Sequence, residues 1–186
     1  GLLRYLLHSG RGIIYLHLGR LPQARQSLEA ALAVQPEFLP MLRALGQPEP
    51  IVTPSAYLAW ADLLVGDTKG AFARQSHIET DPSFDASQRM CAVSFGTTLL
   101  LAAGDVEEAV TRARAVESPA GVGLALQHHA AANVTLGVGE LHAAARGKEV
   151  DVPATIEAMR AAFETWRGGF MRPGSVVQCV GMAQAC

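Results

Sequence analysis

Leucine- and alanine-rich stretches alternate along the chain with short polar breaks, and three of the breaks share one layout. They are Gly19-Arg20-Leu21-Pro22-Gln23-Ala24, Gly66-Asp67-Thr68-Lys69-Gly70-Ala71 and Gly104-Asp105-Val106-Glu107-Glu108-Ala109. In each, a glycine is followed five residues later by an alanine, with a helical apolar pattern on both sides. Glycine takes the left-handed conformation that ends a helix at little cost. The residues after it suit the opening of a second helix: Pro22 fits a first turn, Asp67 and Asp105 fit a cap, and Glu107 and Glu108 favour the positive helix end. The small alanine lets the paired helices approach closely. Three such breaks predict three antiparallel helix pairs.

Proline marks the link after each pair. Pro36 follows Gly19 by 17 residues, Pro82 follows Gly66 by 16, and Pro119 follows Gly104 by 15. A helix cannot run through these positions undisturbed. Gly19 to Gly66 spans 47 residues and Gly66 to Gly104 spans 38, more than the roughly 34 of an ideal tetratricopeptide unit. The first excess falls in Phe38 to Pro54, which holds Pro40, Pro48, Pro50 and Pro54 and is expected as an extended loop. A fourth pair is stretched. Its first helix is predicted from about Val122 to Ala145, Gly147 makes the turn, and the second helix follows Val150-Asp151-Val152-Pro153 after a turn about two residues longer than the others. Ile156, Met159, Phe163, Trp166 and Phe170 form the apolar stripe of that second helix. The expected fold class is all-α, with about eight or nine helices packed as antiparallel pairs. The pairs lie near 4–36, 54–81, 84–118 and 122–168, a further helix starts in 175–186, and together they form a single superhelical repeat domain over 1–186.

Gly12, Tyr15, Gly19, Ala24, Leu28, Ala31 and Pro36 fall in the register of a tetratricopeptide repeat, with helices near 4–18 and 22–34. Later units keep the turn and lose much of the rest. The chain as a whole resembles the degenerate repeat region downstream of the ATPase core in large bacterial signalling proteins. These include LuxR-type regulators and proteins with an amino-terminal nucleotide cyclase domain. The resemblance rests on Tyr57-Leu58-Ala59-Trp60-Ala61, Leu64-Val65-Gly66-Asp67, Ala102-Ala103-Gly104-Asp105, and Ile156 through Trp166-Arg167 with Arg172-Pro173. It implies a parent protein whose output is transcription or cyclic-nucleotide synthesis.

Composition narrows the function classes. Of the 186 residues 49% are apolar and 17% charged, enough for a packed core and unlike a disordered chain. The net charge is −2 and no stretch concentrates Lys or Arg, so direct nucleic-acid binding is not expected. The uncharged run Thr97 to Ala103 is far shorter than the ~20 residues that span a bilayer, so no membrane role is expected. The chain starts on Gly1, with Arg4 interrupting the apolar opening. No signal peptide is recognised, and a fragment of a larger cytoplasmic protein is expected. The stretch from Val176 to Cys186 carries no charge, which predicts an internal helix that covers its edge by self-association as a homo-oligomer or stays mobile. Cys91, Cys179 and Cys186 form neither a paired framework nor a metal spacing.

Candidate chemistry is sparse. Gly121-Val122-Gly123 and Gly137-Val138-Gly139 lack the lysine and hydroxyl of a phosphate loop and are expected as helix punctuation. His128 and His129 point about 100° apart on a helix and cannot clamp one metal. One is expected to pack between helices and one to meet solvent. Cys91, between Met90 and Ala92, is expected as a buried thiol without a catalytic partner. Glu107 and Glu108 are explained by a helix start. Tyr57 and Trp60 share a helix face. By tetratricopeptide register Trp60 would look into the concave groove where partner peptides dock; as an aromatic it is either an interface anchor or, the favoured reading, core filler. The clamp for carboxy-terminal peptides is not expected, because its polar positions hold Ser9, Ile13, Ala56 and Trp60.

The function expected is a protein-interaction or regulatory scaffold, not an enzyme, with no cofactor and no metal. Its partner is a protein, a peptide or a neighbouring domain, with Tyr57 and Trp60 as candidate contacts. The alternative is a receptor for a small inducer, held in a loosened cavity of the fourth pair near Gly121, Gly123, Gly137 and Gly139, with His129 and Asn133 as its polar groups.

Overall fold

The computed structural model describes residues 1–33, 38–44, 50–116 and 124–167, without the side chains of residues 43, 87, 124–127 and 166–167. The described residues form nine α-helices and no strand. They are α1 (Leu2–His17), α2 (Leu21–Leu32), α3 (Leu39–Ala44), α4 (Val52–Leu64), α5 (Thr68–Thr80), α6 (Ala86–Ala103), α7 (Val106–Arg114), α8 (Leu124–Ala145) and α9 (Val152–Arg167). The chain divides into two units, Gly1–Ala92 and Val93–Cys186.

The three glycine breaks fold alike. Gly19, Gly66 and Gly104 have φ of 70°, 90° and 86°. In each, the glycine N–H donates to the carbonyl three residues back and the next N–H donates to the carbonyl five residues back (Arg20 to Tyr15, Asp67 to Asp62, Asp105 to Leu100) at 2.8–3.0 Å. This doubly bonded left-handed stop satisfies carbonyls that the helix end would leave unpaired. The residue after each glycine then caps the next helix in one backbone conformation: φ and ψ are −85° and 65° at Arg20, −82° and 64° at Asp67, and −88° and 71° at Asp105. Asp67 and Asp105 add side-chain caps, accepting from the N–H of Gly70 at 2.9 Å and of Glu108 at 3.2 Å. The alanine of each break makes the first backbone bond of the new helix and is fully buried.

The fourth turn differs by more than expected. Gly147 has φ 82° and makes the same two bonds, but the cap of α9 is Asp151, four residues on instead of one. Three residues are inserted, not two. The point of closest approach moves with them. Gly12 meets Leu28 in the first pair, seven residues before its turn glycine, whereas Gly137 meets Met159 in the fourth, ten before.

In the first unit α1 packs on α2, α4 on α5, and α4 also against α2 and α1. The described parts of the expected loop over Phe38 to Pro54 include helix: α3 occupies Leu39–Ala44 and α4 already begins at Val52, while residues 45–49, Pro48 among them, lie outside the described residues. Pro40 and Pro54 stand in the first turns of these helices, where no amide hydrogen is needed. Leu42 of α3 is fully buried against Tyr5 and Ala31. In the second unit α8 packs on α7 and α9, with Val134, Val138, Leu141 and Met159 at the core. Ile156 and Phe163 of the expected stripe pack against that cluster; the Trp166 side chain, Phe170 and the 175–186 helix lie outside the described residues.

Gly137 and Gly139 are not punctuation. Both sit inside α8 and face different neighbours: a Cβ on Gly137 would overlap Met159 of α9, and one on Gly139 would overlap Val110 of α7. The two glycines let one helix lie close to both partners. Gly121 and Gly123 lie outside the described residues.

Candidate functional site

Tyr57 and Trp60 stand one turn apart on α4, and both are buried, Trp60 at 7% exposure. Trp60 therefore does not present a ring to solvent in a groove. His17 of α1 meets the Tyr57 ring edge-on, with centroids 6.4 Å apart and planes at 77°. Burial raises the Tyr57 hydroxyl well above its usual pKa, with a smaller push from Cys91, and lowers that of the His17 imidazole. Of the clamp positions, Ser9 and Ala56 are buried as well.

Beside these aromatics lies a charge cluster that periodicity alone does not reveal. Asp62, on α4, is almost fully buried. Arg74 of α5 donates from Nε to its Oδ2 at 3.1 Å, and Arg25 Nε of α2 stands 3.0 Å from its Oδ1. The Arg25 contact lacks hydrogen-bond alignment, so it acts as a charge contact. One carboxylate thus ties three helices and both pairs of the first unit together. It occupies the position that Tyr15 holds in the first pair, counted from the turn glycine. A sequence signal existed: an aspartate in the otherwise apolar run from Ala56 to Val65 needs a cationic partner.

On α8, His128 is buried with no hydrogen-bond partner at Nε2, and burial pushes its pKa down to about 4. His129 is half-buried and Asn133, one turn on, is exposed. The structure places His129 and Asn133 one turn apart on α8; Gly121 and Gly123, the other expected members of that cavity, lie outside the described residues. Among the described residues no group of three or more His, Cys, Asp or Glu is placed to hold a metal ion, and no helix is long and apolar enough to cross a membrane. Cys91 is buried; Cys179 and Cys186 lie outside the described residues.

A groove of about 550 Å³ runs between α7, α8 and the α8–α9 turn. Val106, Val110, Leu136 and Val150 give it an apolar floor. Arg114, His142 and Lys148 line its rim, together with Arg146, whose Nη1 stands 2.7 Å from Glu107 Oε1. Glu140, also in the lining, accepts the Thr155 hydroxyl at 2.7 Å. Neither His129 nor Asn133 takes part.

The other prominent surface is on α1. Large apolar side chains are exposed at Leu3, Leu6, Leu7 and Ile14, and at Leu18 just past the helix end. The opposite side of α1 buries Tyr5, Ser9, Gly12 and Leu16. The helix is thus apolar on two faces, a pattern that usually marks a helix covered on both. The leucines and isoleucines at Leu2, Leu3, Leu6, Leu7, Ile13, Ile14, Leu16 and Leu18 fall all round a helix, so the sequence shows more apolar surface than one face can bury but not which face is left over. Compared with protein families, curated proteins and solved structures, the chain finds no match.

Proposed function

We propose that this chain is a tetratricopeptide-like helical-repeat module that works by binding and not by catalysis, as a cytoplasmic scaffold within a multidomain ATP-dependent signalling or transcription-regulating protein of bacteria. The observation that carries the reading is the turn used three times with one backbone geometry at Gly19, Gly66 and Gly104. Identical hairpin closures are what a repeat needs if each pair is to bury its face on the next. The close crossing of Gly12 on Leu28, and the buried Ala24 and Ala31, agree with the tetratricopeptide register. A module of this kind offers surfaces to a protein, a peptide or a neighbouring domain. Tyr57 and Trp60 serve it as core that stiffens the second pair.

The α7–α8 groove favours a second reading, a receptor for a small inducer. Its size falls within the range of ligand pockets, roughly 300–1,000 Å³, and it lies between the third pair's α7 and the fourth pair. Its polar groups would be Arg114, His142 and Lys148 instead of His129 and Asn133.

Calorimetry on the chain separates these readings. A binding module takes up a helical or extended peptide saturably and gives no heat with magnesium-ATP. Stoichiometric ATP binding or turnover would overturn it. Binding of small metabolites that is lost in Arg114→Ala, with no peptide bound, would favour the receptor.

A further inference from the structure

We infer that the outer face of α1 is a docking seam for an amphipathic helix that carries an apolar stripe flanked by a row of carboxylates. The inference rests on the binding-module reading and names its surface and partner class. Leu3, Leu7, Gly10 and Ile14 follow the four-three-four spacing of a helix-pairing seam, and Leu18 extends it. Their side chains are 70% exposed at Leu3, 56% at Leu7, 58% at Ile14 and 62% at Leu18, which is too much apolar area in one line for an ordinary solvated helix face. At about 100° per residue this line lies about 160° from the buried line of Tyr5, Ser9, Gly12 and Leu16. Core packing of the first pair therefore does not use it. A Cβ at Gly10, midway along the seam, would meet nothing within 4 Å, so a partner backbone has room to come close there.

Charge decides the occupant. Arg4 and Arg11, two turns apart, fall on the same flank of the seam, and α1 contains no Asp or Glu; the first carboxylate of the chain is Glu29. Arg11 is held in place by Tyr15, donating to its hydroxyl at 3.2 Å and lying 5.5 Å from its ring centre. A second copy of α1 would bring arginine to a flank without a counter-charge. A helix with glutamate or aspartate beside its apolar stripe supplies one, and like charges there are rejected.

The test uses two synthetic helical peptides of about three heptads, leucine at the seam positions and either glutamate or lysine on the flanks. Fluorescence anisotropy is expected to show the glutamate peptide binding the chain at least about tenfold more tightly than the lysine peptide, with an affinity that falls as salt rises. Leu7→Gln with Ile14→Gln should abolish binding, and Arg4→Glu with Arg11→Glu should reverse the preference. All four positions carry partly or largely exposed side chains, and circular dichroism verifies that each variant stays helical. Equal binding of both peptides, or no binding of either, would overturn the inference. Glutamate-peptide binding unchanged by Leu7→Gln with Ile14→Gln would overturn the seam while leaving the module reading intact. A dimer of the chain alone that dissociates in that double variant would assign the seam to a second copy instead.

Discussion

At the scale of single residues, buried polar groups set the conditions under which the frame is stable. His128 is neutral when folded, its pKa pushed down to about 4 by burial, while in the unfolded chain an imidazole titrates near 6.5. Between those values the unfolded state binds a proton that the folded state does not. Stability contributed by the neutral imidazole is therefore full above pH 6.5 and lost as pH falls towards 4, by about 2–3 kcal/mol at pH 4.5. Urea unfolding at pH 7 and pH 4.5 should show this loss in the native chain and a smaller one in His128→Leu. Asp62 poses a different problem, a buried carboxylate paired with two arginines that themselves reach solvent. Asp62→Ala should lower stability by about 1–3 kcal/mol, less than the figure for a fully buried pair because Arg25 and Arg74 can rehydrate. Trp60→Ala should cost about 3–5 kcal/mol, the signature of a core ring. Aromatic identity and register alone left Trp60 divided between anchor and core, because register gives the face of a helix but not how closely the neighbouring pair covers it.

At the scale of elements, the helix pairs were legible where a local rule sufficed. Glycine with a capping residue after it is a short-range signal, and Gly19, Gly66, Gly104 and Gly147 all adopt positive φ. Gly66→Ala should cost about 1–2 kcal/mol through backbone strain alone, since nothing lies within 4 Å of its added methyl. Where proline has two roles, the sequence was ambiguous. Pro40 and Pro54 were read as loop markers and stand in first turns of α3 and α4. The interior glycines of α8 were hidden for a related reason, because close packing is a property of the partner helix and not of the glycine. Gly137→Ala should destabilise the second unit by about 1–3 kcal/mol through overlap with Met159. Gly10→Ala, in open space within α1, should stabilise by about 0.5–1 kcal/mol. Thermal melts of the two variants side by side provide the comparison.

At the scale of the whole molecule, the sequence disclosed the all-helical class and the places where helices turn back. It did not disclose the two compact units, nor that, among the described residues, α1 exposes a line of large apolar side chains while Trp60 is buried. Both depend on contacts between residues far apart in the chain. A binding module requires a frame that stays as it is while one surface is covered. Hydrogen exchange followed by mass spectrometry, on the chain with and without the glutamate-flanked peptide, measures that directly. Added protection is expected in α1, with the exchange of α5 and of the α8–α9 pair unchanged. Protection spread through all helices, or a peptide-bound chain whose α1 exchanges as fast as before, would contradict docking on a preformed repeat surface.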